Sequence, residues 1–221
     1  PALFMIVADP IGSDLVESYE RSGRNHVTGV RNRVPEEVQL RLLFEYFRPT
    51  RLGVLNHPGE FNSALNTEKL RSLSDEFSFT LIEGLYTPND NGDVDVNQIP
   101  KEMAELKAQG AEAVYVGSSS FNLEHQVEFV AAAADLNLPV FSAYTRMVKE
   151  GGALMAIGTS YANVGRLAAR QAARILLEDI EPSSLPISAL NRYSVIVNMN
   201  SAKNLGRFPP LSLISIAEIV K

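Results

Sequence analysis

Apolar residues follow two patterns along this chain. Some form short unbroken runs, and others recur every three or four positions over longer stretches. Ala2 to Ala8 is an unbroken run closed by Asp9-Pro10, the pattern of a strand buried on both faces. Val27 to Val30 is a shorter strand candidate. Pro35 to Phe47 reads as a helix with Val38, Leu42 and Leu43 on one face, Pro35 in its first turn and Pro49 beyond its end. Leu52 to Leu55 predicts a strand and Asn62 to Glu76 a helix, with Leu65, Leu70, Leu73 and Phe77 as its stripe. Phe79 to Leu85 predicts a strand, and 88–93 a turn-rich loop. Ile99 to Gln109 predicts a helix stopped by Gly110. Ala113 to Val116, Leu138 to Ala143, Leu154 to Ile157 and Ser194 to Asn198 predict strands. Glu124 to Leu136, Ser160 to Glu178 and Leu211 to Val220 predict helices. The helix from Ser160 is the longest, with a stripe of Val164, Leu167, Ala168, Ala172, Ile175 and Leu176.

Strands alternating with helices of this length predict an α/β fold, a doubly wound parallel sheet. Ligands then sit beyond the carboxyl ends of the strands. The polar clusters at those ends are Asp9, Asn56 to Ser63, Ser118 to Ser120, Ser142 to Tyr144, and Gly158 to Tyr161. The segment Leu52 to Ser63 says most. A short strand breaks into a polar turn carrying Glu60, and Asn62 and Ser63 stand at a helix mouth. Unpaired N–H groups there can hold a polar or anionic group. Simple helix capping by Asn62 or Ser63 is the plainer alternative.

Composition narrows the field. The 221 residues are enough for one large or two small domains, and the formal net charge of −6 argues against a nucleic-acid surface. There is no cysteine, which removes thiolate catalysis and disulfides. No apolar run approaches the roughly 18 to 20 residues of a membrane span. Neither a G-x-G-x-x-G nor a G-x-x-x-x-G-K-[ST] phosphate loop occurs, nor a G-x-S-x-G elbow. Ser118 to Ser120 would need a base to act as a nucleophile, and His125 reads as a surface residue within a helix. His57 and Glu60 are two ligands where a metal needs more, and the acidic residues near 90–95 lack calcium-loop spacing, so no metal and no cofactor is expected. Tyr144 and Tyr161 follow strand ends, where either could stack on a ligand.

Several motifs then fall in order. They are Ala8-Asp9-Pro10-Ile11-Gly12, Gly23-Arg24-Asn25 with Val27-Thr28-Gly29-Val30, and Gly53-Val54-Leu55 with Pro58-Gly59-Glu60-Phe61-Asn62-Ser63. After them come Leu138-Pro139-Val140-Phe141, Gly151-Gly152-Ala153-Leu154, Tyr161 with Gly165-Arg166, and Val195-Ile196-Val197-Asn198 with Ala202 and Leu205-Gly206. Together they resemble the ABC-transporter substrate-binding family that includes tryptophan- and phenylalanine-binding members. The resemblance spans essentially the whole chain.

It implies a type I periplasmic-binding-protein fold, with parallel doubly wound sheets in two lobes, closing on a ligand between them. It also implies that the first lobe is incomplete, roughly 80 to 100 residues lying ahead of Pro1 with the export leader. On this reading 1–31 is the remainder of lobe one and 34–156 is lobe two. Residues 157–185 carry a helix returning to lobe one, and 186–221 make the final crossing with the C-terminal strand and helix. The implied function is the extracytoplasmic solute-binding component of an ABC importer, not an enzyme. Its expected partners are a small polar or amino-acid-like ligand and an ABC permease, with no nucleic acid. Self-association through the shortened lobe is a further expectation.

The expected ligand-binding residues are Asp9, Thr28, Glu60, Asn62, Ser63, Ser118, Ser119, Tyr144 and Thr159. The chain departs from the family in carrying Asn56-His57 before its Pro58, and Ser118 to Ser120 where many members place an aspartate, so amino-acid specificity is not carried over. Two other readings stay open: the ligand-receiving module of a signalling protein, and a flavodoxin-like cytosolic enzyme.

Overall fold

The computed structural model describes residues 1–7, 9–190 and 193–221. Ala8, the expected end of the first strand, and residues 191–192 of the expected final crossing lie outside the described residues. In chain order the elements are β1 (Ala2–Val7), β2 (Val27–Arg31), α1 (Glu36–Tyr46), β3 (Arg51–Asn56), α2 (Phe61–Phe77), β4 (Thr80–Leu85), α3 (Gln98–Ala108) and β5 (Ala113–Val116). They continue with α4 (Ser120–Glu124), α5 (Gln126–Asp135), β6 (Val140–Ser142), α6 (Thr145–Lys149), β7 (Met155–Gly158) and α7 (Tyr161–Leu177). The last are β8 (Ser188–Ala189), β9 (Ser194–Asn198), α8 (Met199–Asn204), α9 (Leu211–Ile214) and β10 (Glu218–Val220). The chain divides into two compact units. One is Pro1–Val34 with Thr159–Tyr193, and the other is Pro35–Gly158 with Ser194–Lys221.

The larger unit is built on a seven-stranded sheet in the order β10-β9-β7-β6-β5-β3-β4. Every neighbouring pair is parallel except β7 and β9. All residues of β5, β6 and β7 are buried, which explains why only Ser142 among them carries an aliphatic hydroxyl and none a charge: helices cover both faces. On one face Ile99, Met103 and Leu106 of α3 and Phe129, Ala132 and Ala133 of α5 close over Leu55, Val114 and Val140. Complete burial of such a side chain contributes about 1.5 to 3 kcal/mol.

Tyr115 and Phe141 meet α1 instead. The Tyr115 hydroxyl donates to Gln39 Oε1 at 2.9 Å, and the Phe141 ring packs edge-on against Tyr46. Desolvation of the Tyr46 phenol, whose hydroxyl donates to the Arg207 carbonyl, pushes its pKa well above the ordinary tyrosine value.

The smaller unit holds the parallel sheet β1-β2-β8. Val30 of its central strand packs with Val164 and Ala168 of α7.

Several expected details differ. β1 is not buried on both faces: it is an edge strand, and Met5 and Ile6 are each 41% exposed. Its pairing slips between Met5 and Val7, where Ile6 takes φ 60°. That is left-handed backbone, rare at a β-branched residue, and it coincides with the slip in register.

The inner face of α1 is Glu36, Gln39, Leu40 and Leu43, with Val38 and Leu42 only half-buried. The inner face of α2 is Ser63, Asn66, Thr67, Leu70 and Leu73. In both helices internal hydrogen bonds let polar side chains occupy positions that an apolar stripe would otherwise fill. The helix expected over 124–136 is two, joined at His125, and the first begins at Ser120. The expected C-terminal helix stops after four residues and gives way to β10, paired in parallel with β9. In α7, Leu176 is 74% exposed, and the buried face is Val164, Ala168 and Gln171.

Candidate functional site

In the larger unit the carboxyl ends of β4, β3, β5 and β6 share one edge of the sheet, as parallel pairing requires. β3 runs out at Asn56 into the turn His57 to Glu60. The Gly59 N–H donates to His57 Nδ1 at 3.0 Å, and the Glu60 N–H donates to the His57 carbonyl at 3.0 Å. Asn56 fastens the strand end to α2: its Oδ1 accepts from Ser63 Oγ at 2.8 Å, and its Nδ2 donates to Thr67 Oγ1 at 2.8 Å.

Glu60 precedes α2 in extended backbone and points across to the next loop. Its Oε1 accepts the Phe121 N–H at 2.8 Å, while its Oε2 is buried and has no hydrogen-bond partner.

β5 ends at Val116 and turns through Gly117, Ser118 and Ser119. Ser119 Oγ accepts the Asn122 N–H and caps α4. Asn122 is itself buried. It accepts from the Tyr86 hydroxyl at 2.8 Å and donates to the Leu55 carbonyl at 2.7 Å, so it ties together the ends of β3 and β4 and the start of α4. Desolvation pushes the Tyr86 phenol far above its ordinary pKa, helped by the Glu102 and Glu60 carboxylates, so it stays a donor at every physiological pH. Phe121 sits among the rings of His125 (4.7 Å between centroids), Tyr86 (4.9 Å) and His57 (5.7 Å).

Behind the Gly117 turn, Asn66 lies flat on the glycine and donates through Nδ2 to Glu36 Oε1 at 2.7 Å. At the end of β6, Ser142 Oγ donates to the Val116 carbonyl and accepts the Tyr144 N–H, which places Tyr144 on the same edge.

In the smaller unit, β2 ends at Arg31. Thr28 is fully buried and donates to the Leu185 carbonyl at 3.4 Å. Asp9 Oδ1 accepts the Gly12 N–H at 2.9 Å and so holds its own turn. Thr159 Oγ1 donates to the Asn32 carbonyl at 2.8 Å.

Of the residues the sequence singles out, Glu60, Asn62, Ser63, Ser118, Ser119 and Tyr144 share the carboxyl edge of the larger unit. Asp9, Thr28 and Thr159 belong to the smaller one. The hydroxyls of Thr28, Ser63 and Thr159 are engaged inside their own units, and Ser119 serves as a cap. Asn62 is exposed, and Ser118 is half-buried. Sequence reasoning missed Tyr86, Phe121 and Asn122. The available signal was Tyr86 directly after β4, and the aromatic and amide side chains of Phe121 and Asn122 in the first turn of the short helix that follows β5. Among the described residues no three metal-ligating side chains gather.

A family model described as ABC transporter substrate binding protein matches residues 1–220. Three solved structures are similar over 100% of this chain. A conserved domain protein from Vibrio cholerae shares 26% identity, with 71% of that chain covered and a TM-score of 0.86. An ABC domain from Streptococcus pneumonia in complex with L-Trp shares 21%, with 73% covered and a TM-score of 0.83. CD0873 from Clostridium difficile, a substrate binding protein with adhesive properties in its ligand-free, open form, shares 24%, with 71% covered and a TM-score of 0.78. The fold is that of type I periplasmic binding proteins. A comparison with curated proteins finds no match.

Proposed function

The chain belongs to the ABC transporter substrate-binding family, and from that premise we propose that it is the extracytoplasmic solute-binding component of an ABC importer. Its cargo is a small polar or amino-acid-like solute, which it hands to a membrane permease. The observation that carries this reading is the state of Glu60. One carboxylate oxygen is fixed by the Phe121 N–H, and the other is left without a partner at the carboxyl edge of a parallel sheet. Binding sites in such sheets lie at that edge. A carboxylate already fixed in place loses little freedom when a solute donor arrives, and such preorganisation favours affinity. Ser118, Tyr144 and Asn62 complete the polar set nearby. Asp9, Thr28 and Thr159 are the smaller unit's contribution, the last two through the backbone they hold. Hinge closure on the solute then follows as a population shift toward the state the solute contacts better.

The test is a thermal-shift screen of the full-length protein against amino acids, sugars, small carboxylates and aromatic acids. A solute present at 100 times its Kd stabilises the folded state by about 2.7 kcal/mol, a readily visible shift. The reading predicts at least one hit, weakened by Glu60→Ala. It fails if no solute class shifts the transition.

A further inference from the structure

The turn that carries Glu60 is closed by two hydrogen bonds, and both end on His57. The Glu60 N–H donates to the His57 carbonyl, and the Gly59 N–H donates to His57 Nδ1. The imidazole folds back over its own turn. A methyl group built on Gly59 would stand 3.1 Å from Cε1 and 3.2 Å from Nδ1. The ring thus does what an asparagine or aspartate does in an Asx turn, accepting the N–H two residues on.

Unlike an amide oxygen, this acceptor can be taken away by a proton. Two donors do not face each other at 3.0 Å, so the bond requires Nδ1 bare and the ring proton on Nε2. In a histidinium both ring nitrogens are donors. Its Nδ1–H would point at the Gly59 N–H, the bond is lost, and the ring must turn away. Histidine is the side chain whose charge changes between about pH 5 and pH 8.

What hangs on the turn is Glu60, whose carboxylate reaches across to the Phe121 N–H at 2.8 Å. The groups around the ring set the context. Glu60 shares the turn, and the first turn of α2 brings no charge. From α4 comes Phe121, 5.7 Å from the His57 ring between centroids, with Glu124 further along that helix. Behind Phe121 lie the rings of His125 and Tyr86, and Tyr86 stays a neutral donor. Two histidines can therefore change charge here near neutral pH, and it is His57 that bonds the turn.

We infer that His57 is a proton-operated latch: as a neutral imidazole it holds the turn that aims Glu60, and as an imidazolium it lets that turn go, so the solute is gripped near neutral pH and released on acidification. This rests on the reading of Glu60 as a solute-binding group and deepens it. His57 is a positioning residue, acting through the turn. One proton passes from solvent to Nδ1, and no covalent bond of the solute changes. A solute that needs the closed turn favours bare Nδ1, so its binding expels that proton where the ring is partly protonated.

The test reads the turn first without a solute. The full-length protein is titrated by nuclear magnetic resonance across the histidine range, from about pH 8 to about pH 5.5. The neutral His57 ring should carry its proton on Nε2, and the Gly59 and Phe121 amide signals should move with the midpoint of the His57 ring. His57→Asn keeps an acceptor for the Gly59 N–H but cannot take the proton, so both signals should stay still; in His125→Gln they should still move. Calorimetry with L-tryptophan, L-leucine, L-lactate and D-galactose at the two ends of the range follows. A probe that binds should weaken roughly 2- to 13-fold at the acid end, the net worth of one hydrogen bond, and His57→Asn should remove that dependence. Four results overturn the latch: a neutral ring protonated on Nδ1, a Phe121 signal unmoved while His57 titrates, a movement that survives His57→Asn, or a probe bound equally at both ends. With a probe bound, each of these leaves the solute-binding reading intact. Binding of none of the probes at either pH overturns the solute release and counts against the solute-binding reading, even where the two amides follow His57.

Discussion

Gly117→Ala is the sharpest probe of the loop that follows β5. A methyl group built on Gly117 would stand 1.9 Å from Asn66 Oδ1, 2.5 Å from its Cγ and 2.7 Å from its Nδ2. No real contact survives at those distances, so Asn66 must turn away. Asn66 is buried, and it donates to the buried Glu36 carboxylate at 2.7 Å. Losing a hydrogen bond to a charged group costs about 1.5 to 3 kcal/mol, and forcing extra volume into a packed site adds about 1 to 3 kcal/mol. The total is about 2.5 to 6 kcal/mol. In a unit of about 150 residues each kcal/mol lowers Tm by about 2 to 4 °C, so the expected fall is about 5 to 24 °C. Circular dichroism melts of wild type and variant measure it directly. The double variant Gly117→Ala/Asn66→Ala carries the argument further: with the amide gone the new methyl has room, so the double should be less destabilised than the two singles combined. A loss under about 1 kcal/mol for Gly117→Ala, or full additivity in the double, would refute the reasoning.

Three more outcomes are expected. Asn122→Ala strands the buried Tyr86 hydroxyl and the Leu55 carbonyl together, a loss of about 2 to 4 kcal/mol; adding Tyr86→Phe should recover part of it in urea melts, and no recovery would mean that the hydroxyl is satisfied elsewhere. Ser63→Ala, which removes the donor to Asn56, should lower stability by about 1 kcal/mol while leaving solute affinity unchanged, as titration can check. Burial works against the charged form of Glu112, but N–H groups of Thr50 and Arg51 on its carboxylate outweigh this and hold its pKa below the ordinary 4.5. Its contribution is therefore full above that value and is lost as pH falls through the depressed one. Melts of wild type and Glu112→Gln from pH 7 to pH 2 should converge at the acid end, and a gap that widens with acid would reverse the sign.

How well an element could be read from sequence depended on where its partners lie. β5 and β7 were legible because burial on both faces leaves no polar residue inside the strand. β10 was not, since its three residues follow Leu211 to Ile216 at helical spacing, and only pairing with β9 makes them a strand. The inner face of α2 was misread for a related reason. Asn66 and Thr67 look like solvent positions until Glu36 and Asn56 are brought to them by the fold. Glu60 drew attention as a charge in a turn before a helix, a local signal. Asn122 did not, because its acceptor, the Leu55 carbonyl, is 67 positions away in the chain.

The chain leaves one unit for the other at Val34, Gly158 and Tyr193, so neither unit is a continuous stretch. β7 waits for β9, whose residues come about 40 positions later, before its second edge is covered. During synthesis the larger sheet therefore stays open at β7 until the ribosome has made Ser194 to Asn198. Long-range pairing of this kind slows folding. A circular permutant that places β9 directly after β7 should therefore fold faster, the closing strand no longer waiting on a distant segment.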